Sequence, residues 1–432
     1  MILNYIWVGF FIIAFIIALI KLIFFGDVRV FSDLVNSTFD TARSAFEVSI
    51  YLTGVISLWL GLLKIAERGG IVNILARVVG PVFTKLFPQI PKDHPVIGTI
   101  LLNFSTNILG IDNAGTPLGM KAMQEMQAFN PEPEKASNPQ IMFIVINCAS
   151  LTVIPINIIA YRVQAGAVNP TDVFIPILIA KVASIFAGLI AVSFYQKINI
   201  LKPVLGLLSL IVIPFVVLPM VLDMISSMMG IESLNPLERM SQQQIRDLMN
   251  VVTNFMLFSV IMFFIIIGLR KKINIFEAFI DGAKEGFNVA VQIIPYLVAI
   301  LVAVGVFRIS GAMSYVQTGL KYFFDFLHIN TDFIPAIPVA LMKPLSGSGA
   351  RGLLMDLMLQ YKGGADSFPA RVACVLQGSS DTVFYIMAVY YGAVSIKNTR
   401  YTLSCALIAA LAGFIVAILV SYLFFYSSAP LK

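Results

Sequence analysis

Charge is scarce in this chain. Of its 432 residues, 12% are Asp, Glu, Lys or Arg and 59% are hydrophobic, whereas a soluble domain carries about a quarter charged residues. Histidine is scarcer still: His94 and His328 stand far apart, each beside a connection. The three cysteines, Cys148, Cys374 and Cys405, all sit in apolar segments. That usage excludes a disulfide framework and a His/Cys metal centre. No GxxxxGK[ST], no HExxH and no serine–histidine triad spacing occurs, so the chain does not read as an enzyme. The net charge of +6 lies in short connections such as Arg270-Lys271-Lys272. Such charges orient membrane proteins, and no nucleic-acid partner is expected.

What remains is oil. Mean hydropathy is +0.90, and several apolar runs reach the roughly 20 residues that cross a bilayer. The first, ILNYIWVGFFIIAFIIALI at 2–20, has no positive lead-in and no small-residue cleavage site. It reads as a retained helix and not a signal peptide. The fold class expected is an all-α polytopic membrane protein.

The chain repeats itself. TARSAFEVSIYLTGVISLWLGLLKIAERGG (41–70) aligns without a gap on GAKEGFNVAVQIIPYLVAILVAVGVFRISG (282–311), at an offset of 241. The order of events repeats too. Each half opens with an apolar helix (2–25 and 249–270). After the repeat comes an amphipathic segment (71–87 and 312–328), then an apolar run broken by glycines (95–128 and 333–361). A helix interrupted by polar residues follows, NCASLTVIP at 147–155 and QGSSDTVFY at 377–385, then an apolar helix (172–195 and 401–426). We divide the chain into a first half (1–200), a connector (201–248) and a second half (249–432).

The apolar stretch 203–222 has no counterpart. If each glycine-broken run is a re-entrant hairpin, five crossings separate the two opening helices. Five is odd, so the halves are inverted, with about nine crossings in all. Placing the N-terminus inside puts Lys197–Lys202, Arg270–Lys272 and Lys397–Arg400 on the cytoplasmic side. The C-terminus is then outside. The expected location is a bacterial cytoplasmic membrane.

Broken helices at matching positions of two halves mark a transporter site, because non-helical backbone at membrane depth survives only inside protein or beside water. The first hairpin tip offers Asn107, Asp112, Asn113 and Thr116; the second offers Lys343, Ser346, Ser348 and Arg351. The interrupted helices add Asn147, Ser150 and Thr152, then Gln377, Ser379, Ser380, Asp381 and Thr382. A lone serine in such a helix commonly bonds its own backbone. Asp381 is different, since an aspartate at a helix centre costs about 2.5–3.5 kcal/mol on insertion scales. That cost calls for a wet cavity, a cation such as Lys343, or a transported ion. Lys181 reads as a snorkelling or carboxylate-paired lysine.

Several motifs carry a resemblance. SLWLGLLKIAE (57–67), KLFPQIPKDHP (85–95) and ILGIDNAGTPLGMKAM (108–123) resemble the spore maturation A family. KPLSGSGARG (343–352) and DSFPARVACVLQGSSDTVFYIMAVYYGAVSIK (366–397) resemble the spore maturation B family. Both are similar to nucleoside-recognition, or Gate, proteins, whose segments also occur in concentrative nucleoside transporters and a ferrous iron transporter. The resemblance implies a membrane transport or gating role and fixes no substrate.

The expected function is therefore secondary transport of a small polar solute, nucleoside-like or a small organic anion, at a midplane site. No resident cofactor or metal is expected beyond a coupling Na+ or H+. The partners expected are the lipid bilayer, the solute and a second copy in a homodimer. Two alternatives stand beside this reading: a non-transporting receptor or assembly factor, and an ion or metal permease.

Overall fold

The computed structural model describes residues 2–91, 94–110, 112–150, 152–153, 155–198 and 242–426. The expected crossing at 203–222 and most of the loop after it lie outside the described residues. So, in part, does the count of about nine crossings. The first half contains α1 (Ile2–Phe25), α2 (Val30–Arg68), α3 (Ile71–Phe83), α4 (Pro95–Leu109), α5 (Asp112–Gln127), α6 (Asn138–Cys148), α7 (Ile156–Gln164) and α8 (Phe174–Gln196). The second contains α9 (Gln242–Arg270), α10 (Ile275–Ile309), α11 (Ala312–Phe326), α12 (Ile337–Met342), α13 (Gly347–Gln360), α14 (Phe368–Gly378), α15 (Val383–Gly392) and α16 (Thr402–Phe425). The described residues contain no strand, only one isolated bridge between Lys135 and Asn398.

Among the described residues, four segments are long and apolar enough to cross a membrane: Trp7–Phe25, Phe174–Gln196, Phe368–Gly392 and Thr402–Phe425. Leu297–Ile309 and Ala312–Phe326 meet at 71° and make a fifth if taken as one span. Gly311 makes that turn in the left-handed region, at φ +91°, where a side chain would be strained. Two boundaries differ from expectation. The helix that carries the first repeat begins at Val30, ahead of residue 41, as one 39-residue α2, about 58 Å long at 1.5 Å per residue. The loop expected up to 248 is already helical from Gln242.

The halves hold each other through antiparallel pairs of equivalent helices. On α2 and α10, a Cβ on Gly282 would lie 2.3 Å from the Leu60 carbonyl and 2.6 Å from Lys64 Cβ. A Cβ on Gly305 would lie 2.8 Å from Thr41 Oγ1. The offset of 241 carries Thr41 onto Gly282 and Lys64 onto Gly305, so the two contacts are one contact seen twice. The same holds for α8 and α16: Gly188 meets Ala409 Cβ at 3.1 Å, and Gly413 meets Ser184 Cβ at 3.1 Å. Small residues let helix backbones approach where lipid supplies no hydrophobic drive. Antiparallel pairing of equivalent helices is what an inverted repeat produces.

Both glycine-broken runs turn back. At the first, Asn103 Nδ2 donates to Gly115 O at 2.7 Å across the turn, and His94 before α4 stacks edge-on with Phe129 after α5 at 5.2 Å. At the second, Phe333 before α12 and Phe368 after α13 both pack on Tyr422, at 6.5 and 4.8 Å. The breaks are shorter than expected. Only residues 110–111 separate α4 from α5, where Gly110 adopts φ +77°. In the second hairpin, GSGARG is the first turn of α13, because Ser346 caps it by accepting from Gly349 N at 3.0 Å.

Two seams join loops from opposite halves. In one, Arg162 is fully buried and donates to Ala365 O at 2.7 Å, to Asn169 O at 3.0 Å and to Asp366 at 3.1 Å. It also lies 2.9 Å from Asp172 Oδ1, an ion pair without a hydrogen bond to that oxygen. Arg371 completes the network at 2.8 Å from Asp172. Burial pushes the Asp172 carboxyl up from its ordinary value, and Arg162 and Arg371 oppose that shift. In the other seam, Lys397 pairs with Glu134 at 2.6 Å, both mostly exposed. Arg400 donates to Ala136 O and Asn138 Oδ1, each at 3.0 Å.

Candidate functional site

Each interrupted helix is tied by backbone to the hairpin of its own half. Val153 N donates to Ile108 O at 2.9 Å, and Phe384 N donates to Pro344 O at 3.0 Å. One bond links the two breaks: Asp381 N donates to Cys148 O at 2.8 Å. Four discontinuous elements thus converge on a cavity of about 1080 Å³.

Most of the residues singled out from sequence line this cavity. Asn107, Thr116, Asn147, Ser150 and Thr152 come from the first half. Lys343, Ser346, Ser348, Arg351, Gln377, Ser380, Asp381 and Thr382 come from the second. Ser379 does not line it: the residue is fully buried, its Oγ donates to Leu376 O at 2.9 Å, and it packs on Gly413. The side chains of Asp112 and Asn113 lie outside the described residues. Ser150 takes φ +64°, an uncommon conformation for a side-chain-bearing residue and one concentrated at functional breaks.

The polar groups pair unequally. Asn107 Nδ2 donates to Asn147 Oδ1 at 2.7 Å, and Asn147 Nδ2 donates to Phe143 O at 2.8 Å. In the second half, Lys343 Nζ stands 4.0 Å from Asp381 Oδ1, beyond hydrogen-bond range. Lys343 is buried and Asp381 is half-exposed to the cavity. Thr382 N donates to Asp381 Oδ1 at 2.7 Å. Arg351 folds back to donate to Gly347 O at 3.2 Å. The buried atoms Gln377 Oε1 and Ser380 Oγ have no hydrogen-bond partner.

Four charged residues were not foreseen as part of the site. Lys181 on α8 reaches the cavity and donates to Thr152 O. At one end, Lys64 pairs with Glu67 at 3.2 Å and with Glu285 at 3.0 Å, and all three line the cavity. Lys64 and Glu67 are spaced i,i+3 on α2, but Glu285 comes from α10, so this rim exists only once the halves pair. Among the described residues no group of three His, Cys, Asp or Glu could hold a metal ion.

Comparison with known proteins agrees with this architecture. Residues 49–164 match the Gate family, described as nucleoside recognition. Spore maturation protein A of Bacillus subtilis (strain 168) is 38% identical over 195 residues, which cover 45% of this chain and 96% of that protein. Spore maturation protein B of the same organism is 43% identical over 161 residues, covering 37% of this chain and 88% of that protein. The two matches fall on different parts of the chain. No solved structure matches it significantly. A multi-pass helical membrane protein that carries both kinds of half in one polypeptide, this chain belongs to the spore maturation A and B family.

Proposed function

We propose that the protein is a secondary transporter for a small polar solute, working by alternating access at the cavity between the two hairpins and the two interrupted helices. The observation that carries this reading is the cavity itself: four broken elements, two from each inverted half, face it with polar side chains and backbone. Inverted halves with a shared central site can rock between two openings. The Lys64–Glu67–Glu285 rim lines the cavity, and we take it as the opening of one state. Asn107, Ser348 and the α13 N-terminus suit polar groups of the solute; Lys343 and Arg351 suit an anionic one. No nucleotide-binding motif is present, so the drive comes from an ion gradient, the solute's own gradient or a partner.

The test is cysteine accessibility. Ser348→Cys and Ser380→Cys, placed in a variant lacking the three native cysteines, are labelled by impermeant reagents in oriented vesicles. Labelling from each side in turn supports transport. Labelling from one side only, with or without solutes, would sink it and favour the second reading, a membrane receptor or assembly factor. That second reading is favoured by the names of both relatives, which denote spore maturation. In proteoliposomes, Asp381→Asn is expected to abolish coupled uptake while the protein stays folded.

A further inference from the structure

The two half-sites share a plan and differ in their side chains. The paired backbone bonds place Lys343, one residue before Pro344, where the first half has Asn107, one residue before Ile108. The aligned breaks, NCASLTVIP and QGSSDTVFY, place Gln377 where the first half has Asn147, one residue out of step with the backbone bonds, which match Val153 with Phe384. In the first half the acceptor Asn147 Oδ1 is filled by the Asn107 amide at 2.7 Å. In the second, Gln377 Oε1 has no partner, nor has Ser380 Oγ in the break just after α14. Both residues are more than nine-tenths buried and both line the cavity. A buried polar atom without a partner costs free energy, so an occupant is called for. Its chemistry follows from the neighbours. The half-exposed Asp381 carboxylate adjoins Ser380 in the chain and lines the same cavity. The C-terminal end of α14, the negative end of its dipole, points there as well. Oxygen acceptors beside a helix C-terminus are a seat for positive charge. One carboxylate among neutral oxygens suits a single charge and not a divalent ion.

We propose that the break between α14 and α15 is a monovalent cation subsite, in which Gln377 Oε1, Ser380 Oγ and the Asp381 carboxylate receive either Na+ or the ammonium group of the solute. The inference rests on the transport reading for what the cation is used for, and its test reads binding alone. Lys343 is the built-in competitor: from 4.0 Å it shares Asp381 with whatever enters. A cation on Asp381 weakens that attraction.

The experiment uses the full-length detergent-purified protein in choline chloride, with thermal unfolding followed as NaCl or methylammonium chloride replaces choline at constant ionic strength. The expected result is a saturable rise in melting temperature with one of the two cations and none with choline. A response to Na+ identifies a metal ion; a response to methylammonium alone identifies a solute ammonium. Gln377→Leu and Ser380→Ala are each expected to shift the midpoint concentration at least about tenfold upward. Gln377→Glu keeps the size, adds negative charge and is expected to lower it. No response in the wild type, as for a site holding only water, overturns the proposal. So does a midpoint unmoved in all three variants. Cation binding without solute uptake in proteoliposomes would remove the transport reading and leave the subsite. Uptake without any cation response would do the reverse.

Discussion

The two half-sites make the most instructive comparison in the molecule. In the first, Asn107 and Asn147 satisfy each other and the break is finished by protein. In the second, the amide acceptor is open, and a lysine stands where the asparagine would be. The seams show a parallel inequality. Arg162 is fully buried among two carboxylates and three carbonyls, whereas Lys397 and Glu134 form a mostly exposed pair. The same framework occurs twice with different side chains: the amide pair of the first half-site is closed, and the amide acceptor of the second is open.

The seams offer the largest effect with which to break this comparison. Arg162→Leu leaves Asp172 and Asp366 with Arg371 as their remaining cation, a loss of up to about 3–5 kcal/mol. Lys397→Ala removes an exposed pair worth about 0–1 kcal/mol. Thermal denaturation of the two variants in detergent is expected to rank them in that order; equal losses would mean that the seams are equivalent after all. The half-sites come next. Asn107→Ala leaves Asn147 Oδ1 buried without its donor, at a cost of about 1–3 kcal/mol. Gln377→Leu removes an atom that has no partner and is expected to leave the ligand-free melting temperature unchanged or raised. A larger loss from Gln377→Leu than from Asn107→Ala would reverse the assignment of the two halves. The smallest effect is a control for helix packing. Nothing lies within 4 Å of a Cβ built on Gly98 in α4, so Gly98→Ala is expected to be neutral or to stabilise by less than about 1 kcal/mol.

Much of this was legible in the sequence, and the reason differs by element. The interrupted helices could be read because polar residues at membrane depth are costly, so NCASLTVIP and QGSSDTVFY stand out against oil. The sequence repeat led to the expectation of inverted halves, and the antiparallel pairing of α2 with α10 agrees with that inversion. The rim was not legible. Lys64, Glu67 and Glu285 each look like an ordinary helix-end charge, and only the pairing of distant segments gathers them. Arg162 was hidden for the same reason: a lone arginine near a helix end resembles a topological marker, yet here it is the hub of a buried network. Ser379 was misplaced because a run of polar residues does not say which of them turns back onto its own helix. The start of α2 at Val30 was not marked off in the sequence because polar residues such as Asp33, Asn36 and Asp40 interrupt its short apolar face of Val30 and Leu34.

The glycine crossings carry a meaning for ancestry. The contact between Gly282 and Lys64 and the contact between Gly305 and Thr41 exchange when the halves are exchanged. A surface with that property is isologous: it is its own partner. Such a surface does not need a covalent bond between the two sides to find its mate, because the geometry that specifies the partner is written in each half. A single ancestral half bearing it could pair with a second copy of itself, inserted the other way up. Joining two such halves on one chain changes their effective concentration and their stoichiometry, not the way they recognise each other.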